Sequence, residues 1–307
     1  MWSTGTEGEA LKNVIPGNYT VTVTDAQGCV STGATTVNAN PNPVANAGPD
    51  MSFCEGSGGV ALQGSASGGG GAPYYYTWSC NNPPCGLSCV NCPNPVANPT
   101  DTTVYYLMVT DQNGCTSPLD SMIVNVLPKP IVDAGPDTAI CATPAPCVVL
   151  TPSISNGYGP YTYQWIPGTG LNNATIANPC ARPDTSTIYA LVVTDLSTGC
   201  TSDFTTTDTL ATIEVVVNPL PIADAGPNRI ICAGDTTQLQ GIASNAGPQY
   251  EFQWSPITGL SNYQQASPWA FPSLTTNYSL VVWSNGCPSN ADTVVVYVTE
   301  IPTVDAG

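Results

Sequence analysis

The chain repeats itself, and the period limits what it can fold into. Asp133-Ala-Gly-Pro-Asp137 recurs as Asn46-Ala-Gly-Pro-Asp50 and Asp224-Ala-Gly-Pro-Asn228, and begins again at Asp305-Ala306-Gly307. Each opening is followed by a cysteine (Cys54, Cys141, Cys232), then by an aromatic run ending in Trp78, Trp165 or Trp254, then by Gly86-Leu87, Gly170-Leu171 or Gly259-Leu260. A Tyr-led apolar run then closes on Gly-Cys: Tyr105 to Cys115, Tyr189 to Cys200, Tyr278 to Cys287, and also Tyr19 to Cys29. The spacing is about 87 residues throughout. A fixed period of that length describes a series of like units, each with its own core. The boundaries read as the C-terminal part of an adhesin-type repeat at 1–42, complete repeats at 43–129, 130–220 and 221–301, and the start of a further repeat at 302–307.

Within a repeat the apolar residues alternate. Tyr161, Tyr163 and Trp165 do so, as do Tyr189, Leu191 and Val193, and Ile213, Val215 and Val217; period two marks half-buried strands. Gly and Pro interrupt every stretch long enough to be a helix. Asp25-Ala-Gln-Gly28, Asp111-Gln-Asn-Gly114 and Asp195-Leu-Ser-Thr-Gly199 carry tight-hairpin chemistry. About seven short antiparallel strands around one Trp predict an all-β chain of tandem immunoglobulin-like β-sandwich domains. The connections Pro41-Asn-Pro-Val44, Leu127-Pro-Lys-Pro-Ile131 and Asn218-Pro-Leu-Pro-Ile222 are short and contain proline, so the units are expected to form a rod.

Charge excludes several function classes. Four Lys plus Arg against 21 Asp plus Glu leave a net charge of −17, and there is no His. Such a chain cannot gather the counterion-release energy of nucleic-acid binding, and an anionic membrane surface repels it. Neither nucleic acid nor membrane insertion is expected. Without His the commonest general base and metal ligand are missing, and no nucleophile–base pair or phosphate loop is present. No enzyme is predicted. Thirteen cysteines in so weakly charged a chain fit an oxidising compartment, hence an extracellular or cell-surface location. The N-terminal residues Met1-Trp2-Ser3-Thr4-Gly5 do not resemble an export signal, so either a signal has been removed or these residues are an interior piece of something longer; a segment of a longer repeat protein is favoured over self-complementing subunits.

The motifs resemble tandem immunoglobulin-like and polycystic-kidney-disease-type repeats of giant surface proteins in the Bacteroidetes, including gliding-motility adhesins exported by the type IX system. The segment Trp2-Ser-Thr-Gly5 with Pro16-Gly-Asn-Tyr-Thr-Val-Thr-Val-Thr-Asp-Ala-Gln-Gly-Cys29 is similar to the gliding-adhesin type. The other repeats resemble a sister type that opens on Asp-Ala-Gly-Pro-Asp and closes on Val-Thr-Asp-x-x-Gly-Cys. The repeat at 221–301, repeat 4 when the partial one at 1–42 is counted first, departs from it at Trp283-Ser-Asn-Gly-Cys287, which lacks the turn aspartate. The resemblance implies stalk, filament or adhesive modules. Asp followed by Ser or Thr and a small or aliphatic residue resembles the O-glycosylation acceptor of the same phylum, which marks Thr102, Ser121, Thr138, Thr209, Thr236 and Thr293. The alternative is that Asp-Thr simply opens strands.

The cysteines admit two pairings. Within repeats, Cys54 joins Cys115, Cys141 joins Cys200 and Cys232 joins Cys287, with Cys147–Cys180 as an extra staple; this is the favoured reading. The rival joins the closing Cys of one repeat to the opening Cys of the previous one and locks neighbours together. Cys29 has no partner in either. Cys80, Cys85, Cys89 and Cys92 read as two local disulfides in an insertion, with a zinc site as the alternative. No cofactor is required, although Asp133, Asp137, Asp111 and Asp195 are where calcium would bind if it rigidified the rod. Trp269, in Ala266-Ser-Pro-Trp-Ala270, is the aromatic placed to stack on a sugar. The expected role is a non-enzymatic structural or adhesive segment of an extracellular filament or stalk. Its partners would be neighbouring repeats, further copies in a filament, and surface glycans or cells. Carbohydrate-binding modules of a secreted hydrolase and a calcium-rigidified rod are the alternatives.

Overall fold

The computed structural model describes residues 1–142, 146–203 and 211–304, and it is all-β. The chain divides into two compact units, Met1–Pro128 and Lys129–Gly307. Among the described residues three separate hydrophobic cores form, one in the first unit and two in the second.

In the first unit, β1 (Gly17–Thr24) and β2 (Val30–Val37) form an antiparallel hairpin to which Trp2 adds a bridge at Val21. Its side chains are mostly exposed, with only Tyr19 in β1 buried. The first sandwich follows. It comprises β3 (Pro43–Asn46), β4 (Met51–Cys54), β5 (Val60–Ala61), β6 (Ser65–Gly68), β7 (Tyr75–Cys80), β8 (Val96–Ala97), β9 (Thr103–Thr110) and β10 (Asp120–Leu127). The main sheet has the order β4-β10-β9-β7, and the pairs β3–β6 and β5–β8 face it. Tyr105, Leu107 and Val109 of β9 point inward at every second position, as the alternation predicted.

The second unit holds two sandwiches on the same plan. One is built from β11 (Ile131–Asp133), β12 (Thr138–Cys141), β13 (Val148–Val149), β14 (Ser153–Ser155), β15 (Tyr161–Ile166), β16 (Cys180–Ala181), β17 (Thr187–Asp195) and β18 (Thr212–Asn218). The other comprises β19 (Ile222–Asp224), β20 (Arg229–Cys232), β21 (Thr237–Gln238), β22 (Ile242–Ser244), β23 (Glu251–Ser255), β24 (Trp269–Ala270), β25 (Thr276–Ser284), β26 (Cys287–Pro288) and β27 (Asp292–Thr299). Their main sheets run β12-β18-β17-β15 and β20-β27-β25-β23.

One feature departs from the all-antiparallel expectation. The opening strand of each sandwich lies parallel to its last strand: β4 on β10, β12 on β18, β20 on β27. The opening segment is split by its Gly-Pro. Its first half pairs with the facing layer and its second half crosses to the main sheet, where only a parallel alignment is left beside the last strand.

The recurring motif residues brace each core. Trp78, Trp165 and Trp254 are buried, and each indole N–H donates to a loop carbonyl, at Cys92, Ile176 and Gln265 respectively. The buried Tyr189 and Tyr278 hydroxyls donate to Thr169 and Thr258, and Tyr105 donates to Cys85. The residue after each of those carbonyls is the repeated glycine. Gly170 has φ +79° and a Cβ there would stand 2.7 Å from Pro183 Cα, so both backbone and space demand glycine.

Candidate functional site

The features that recur at the two ends of each sandwich form the candidate site. At one end lies the hairpin that carries the closing cysteine. The Asp111 carboxylate is buried and accepts the backbone N–H of Asn113 and Cys115 at 2.9 Å each; it also accepts Gly70 N–H at 2.6 Å and the Asn40 amide at 3.0 Å. Asp195 does the same with Ser197, Tyr158 and Gly159, and Asp25 takes Gln27 and Cys29 N–H. The Ser197 hydroxyl, with the N–H groups of Tyr158, Ser197 and Gly159, holds the Asp195 carboxyl down to about 2. The Gly70 N–H, then the Asn40 amide, lowers Asp111 likewise. These carboxylates are occupied by the backbone.

Two residues after each closing cysteine stands a serine that the sequence reading missed. Ser117, Ser202 and Ser289 are buried, and their hydroxyls accept the N–H of Val109, Val193 and Val282 at 2.9–3.0 Å. The signal was present as Cys115-Thr-Ser117, Cys200-Thr-Ser202 and Cys287-Pro-Ser289. The serine pins the hairpin's return segment to the preceding strand and thereby fixes the cysteine.

At the other end lies the opening cysteine. Cys54, Cys141 and Cys232 pair with Leu127, Asn218 and Thr299, the final residues of β10, β18 and β27. The next backbone N–H donates to that same final carbonyl, from Glu55, Ala142 and Ala233 at 2.8–2.9 Å.

The disulfide seen in the second unit joins these two kinds of end. Cys141 bonds Cys287, 146 residues away, with a Cα–Cα distance of 5.6 Å. This corrects the within-repeat pairing of Cys54 with Cys115, Cys141 with Cys200 and Cys232 with Cys287. Cys141 takes Cys287 instead, and among the described residues Cys29, Cys115 and Cys232 carry no disulfide, although Cys115 and Cys232 were expected to. The reason is geometric. Cys141 lies level with Asn218 at the end of β18, whereas the Cys200 carbonyl accepts the Asp195 N–H at the end of β17, and the eight residue steps of β17 from Thr187, which pairs with Val215, to Asp195 alone span about 26 Å. A disulfide needs Cα atoms about 4.4–6.8 Å apart, so the two ends of one sandwich cannot be bridged. Cys54 and Cys200 are each disulfide-bonded. A recess of about 300 Å³ flanks the Cys141–Cys287 bond, lined by Pro146, Leu220 and Asn290 among others.

The remaining cysteines form local staples, Cys80–Cys85, Cys89–Cys92 and Cys147–Cys180. The first two shape the insertion whose Val90 and Cys92 carbonyls accept Trp78's backbone and indole N–H, so these four thiols are bonded in pairs and are not gathered for zinc.

The other predicted residues are scattered. Of the carboxylates considered for calcium, Asp133 accepts Gly135 N–H and Asp137 accepts Glu214 N–H. Among the described residues no three His, Cys, Asp or Glu side chains gather as a metal group. Thr102, Ser121, Thr236 and Thr293 are exposed and Thr138 is half-buried; Thr209 lies outside the described residues. Asp120 and Asp292, which precede Ser121 and Thr293, accept the N–H of Ala47 and Ala225. The Asp-Ser/Thr pattern therefore has a structural use at those two positions. Trp269 is 51% exposed and faces Gln238 across the β21–β24 pair.

Repeat 4 differs where the turn aspartate is missing. Ser284 occupies that place, buried, and its hydroxyl has no partner among the described residues. The turn contracts to Asn285-Gly286, both at positive φ, and a cleft of about 650 Å³ lined by Gln249, Tyr250, Glu251, Trp283, Ser284 and Asn285 opens beside it.

No known family model and no curated protein matches the chain. Among solved structures it is similar to the N-terminal eight Ig domains of Down syndrome cell adhesion molecule, at 12% identity and a TM-score of 0.46. That match covers 92% of this chain and 40% of the other. The chain therefore spans about two fifths of that structure. The three N-terminal domains of the highly immunogenic outer capsid protein of bacteriophage RB49 match at 12% identity and a TM-score of 0.42, covering 85% of this chain and 99% of the other. The I9–I11 tandem of titin matches at 12% and 0.31, covering 85% and 98%.

Proposed function

We propose that the chain is a non-enzymatic structural and adhesive segment of a large extracellular filament or cell-surface stalk. Its work is to span distance and bear load through disulfide-stapled immunoglobulin-like repeats. The observation that carries this reading is the Cys141–Cys287 bond, which ties the start of one sandwich to the closing hairpin of the next. A load applied along the chain then passes from Cys141 to Cys287 through one covalent bond and bypasses the residues between them. The resemblance to surface-protein repeats, the disulfide content and the net charge of −17, which keeps an exposed chain soluble, support the same reading. Neighbouring repeats, further copies in a filament and surface glycans or cells are its partners.

Single-molecule extension tests the proposal. Oxidised chains held by their termini should keep the 146-residue interval out of the extended length, and reduction, which also opens the disulfides of Cys54 and Cys200, should release at least roughly 500 Å of chain at full extension. Equal extension before and after reduction would remove the load-bearing role. A second reading, glycan recognition, is favoured by one observation: the cleft beside Trp283 is lined by two aromatic residues, Tyr250 and Trp283, by the acidic Glu251 and by the amide-bearing Gln249 and Asn285. Binding on a glycan array that Trp283→Ala abolishes and Trp269→Ala leaves unchanged would place recognition in that cleft.

A further inference from the structure

Three cysteines carry no disulfide among the described residues, and the internal repetition states what each is built to bond. Cys232 is an opening cysteine. It pairs with the last residue of the last strand, Thr299, and is followed by an Ala233 N–H donated to the same residue, as Cys141 is with Asn218 and Ala142. Cys115 is a closing cysteine, held by the Asp111 carboxylate and by the serine two residues on, as Cys287 is held by Ser289. Cys29 has the same Asp25 turn. The Cys141–Cys287 bond shows what one opening and one closing cysteine of these types do: the opening cysteine of a repeat bonds the closing cysteine of the repeat after it.

We infer that Cys232 is the open half of such a junction, whose partner is the closing cysteine of a sandwich of the same kind joined directly after this one in the same polypeptide. Cys115 and Cys29 are the complementary halves, which take the opening cysteine of a preceding repeat. The rule accounts for the unpaired set. Residues 1–42 contain no cysteine except Cys29, so none there can serve Cys115, and no closing cysteine follows Cys287 to serve Cys232. Cys232 is exposed, with the Thr299 hydroxyl 4.0 Å from its sulfur, and Cys115 is half-buried under the Asn40 amide at 3.1 Å. Closure is an oxidation. Two thiols give up two protons and two electrons to a low-molecular-weight disulfide such as oxidised glutathione, which leaves as two thiols while one S–S bond forms. The inference concerns pairing and holds whether or not the junction bears load.

Two variants of the full chain test it, each refolded in a glutathione redox buffer, alkylated and mapped by peptide mass. The first is Cys141→Ser, which frees Cys287. Cys232 and Cys287 then belong to one repeat, at opposite ends of it, and both should remain alkylated; a Cys232–Cys287 disulfide would overturn the rule. The second extends the chain after Gly307 with a copy of residues 227–301, so that Asp305-Ala306-Gly307 opens a further repeat as Asp224-Ala225-Gly226 does. Alkylation of Cys232 should fall about tenfold or more, because the tethered thiol sits at high effective concentration, and its partner should be the added copy of Cys287. The added copy of Cys232 should stay alkylated. An unchanged Cys232 in an extended chain that has regained native near-ultraviolet dichroism would overturn the inference. So would unextended chains that cross-link to one another through Cys232, which would place the partner in a second molecule.

Discussion

Asp195 spends its charge on backbone N–H groups, and that makes it a proton-linked brace. Its carboxyl titrates near 2 in the folded chain and near the ordinary value of 3.8 when unfolded, so the unfolded state binds more protons between those values. The contribution to stability is therefore complete above about pH 3.8 and is lost as pH falls towards 2. Thermal melting of the wild type should drop through that window, and Asp195→Asn should flatten the slope while lowering the melting temperature at neutral pH. A variant with an unchanged acid profile would remove the assignment. Glycine offers a second comparison. Gly199 and Gly170 both have positive φ, but a Cβ at Gly199 meets nothing within 4 Å, whereas at Gly170 it meets Pro183 and the Tyr189 hydroxyl. Gly199→Ala should cost about 1 kcal/mol for the left-handed backbone alone, and Gly170→Ala clearly more. Denaturant titration of the two variants checks the order.

At the scale of elements, the disulfides differ in how much chain they close. In the entropic account the 146-residue loop of Cys141–Cys287 contributes about 5 kcal/mol and the 33-residue loop of Cys147–Cys180 about 4 kcal/mol. The consequence for cooperativity differs more. Replacing both Cys141 and Cys287 with Ser should split the melting of the second unit into two transitions, one per core, whereas replacing Cys147 and Cys180 should shift a transition without dividing it. Calorimetry distinguishes these outcomes. The strands were legible because alternation at Tyr189, Leu191 and Val193 states directly which side chains face inward. The Gly-Leu pair was legible as a motif, and its cause became visible only with Tyr189 and Pro183 in place. The cysteine pairing was not legible, since one opening and one closing cysteine recur in each complete repeat and the repetition alone does not say which closing cysteine an opening one meets. The choice depends on which end of a sandwich each thiol occupies, and that follows from the parallel placement of β12 on β18. The serine after each closing cysteine was readable in principle, as it recurs at a fixed offset, but its meaning lies in a bond to a strand nine residues away or fewer.

At the scale of the whole molecule, charge governs how the chains meet. With a net charge of −17 and an isoelectric point near 4.1, copies repel one another at neutral pH. Solubility should therefore be least near pH 4, and a titration of turbidity should show a single maximum there. Association that persists at neutral pH and low salt would instead mean that a specific contact overcomes the repulsion. The pairing of each opening strand with its own last strand has a mechanical consequence. Because β12 and β18 run in the same direction, a pull on the two ends of that sandwich drags neighbouring strands past each other and strains their cross-links in shear, together, where an antiparallel edge would unzip one rung at a time. Resistance to stretching is thus written into the direction of one short strand.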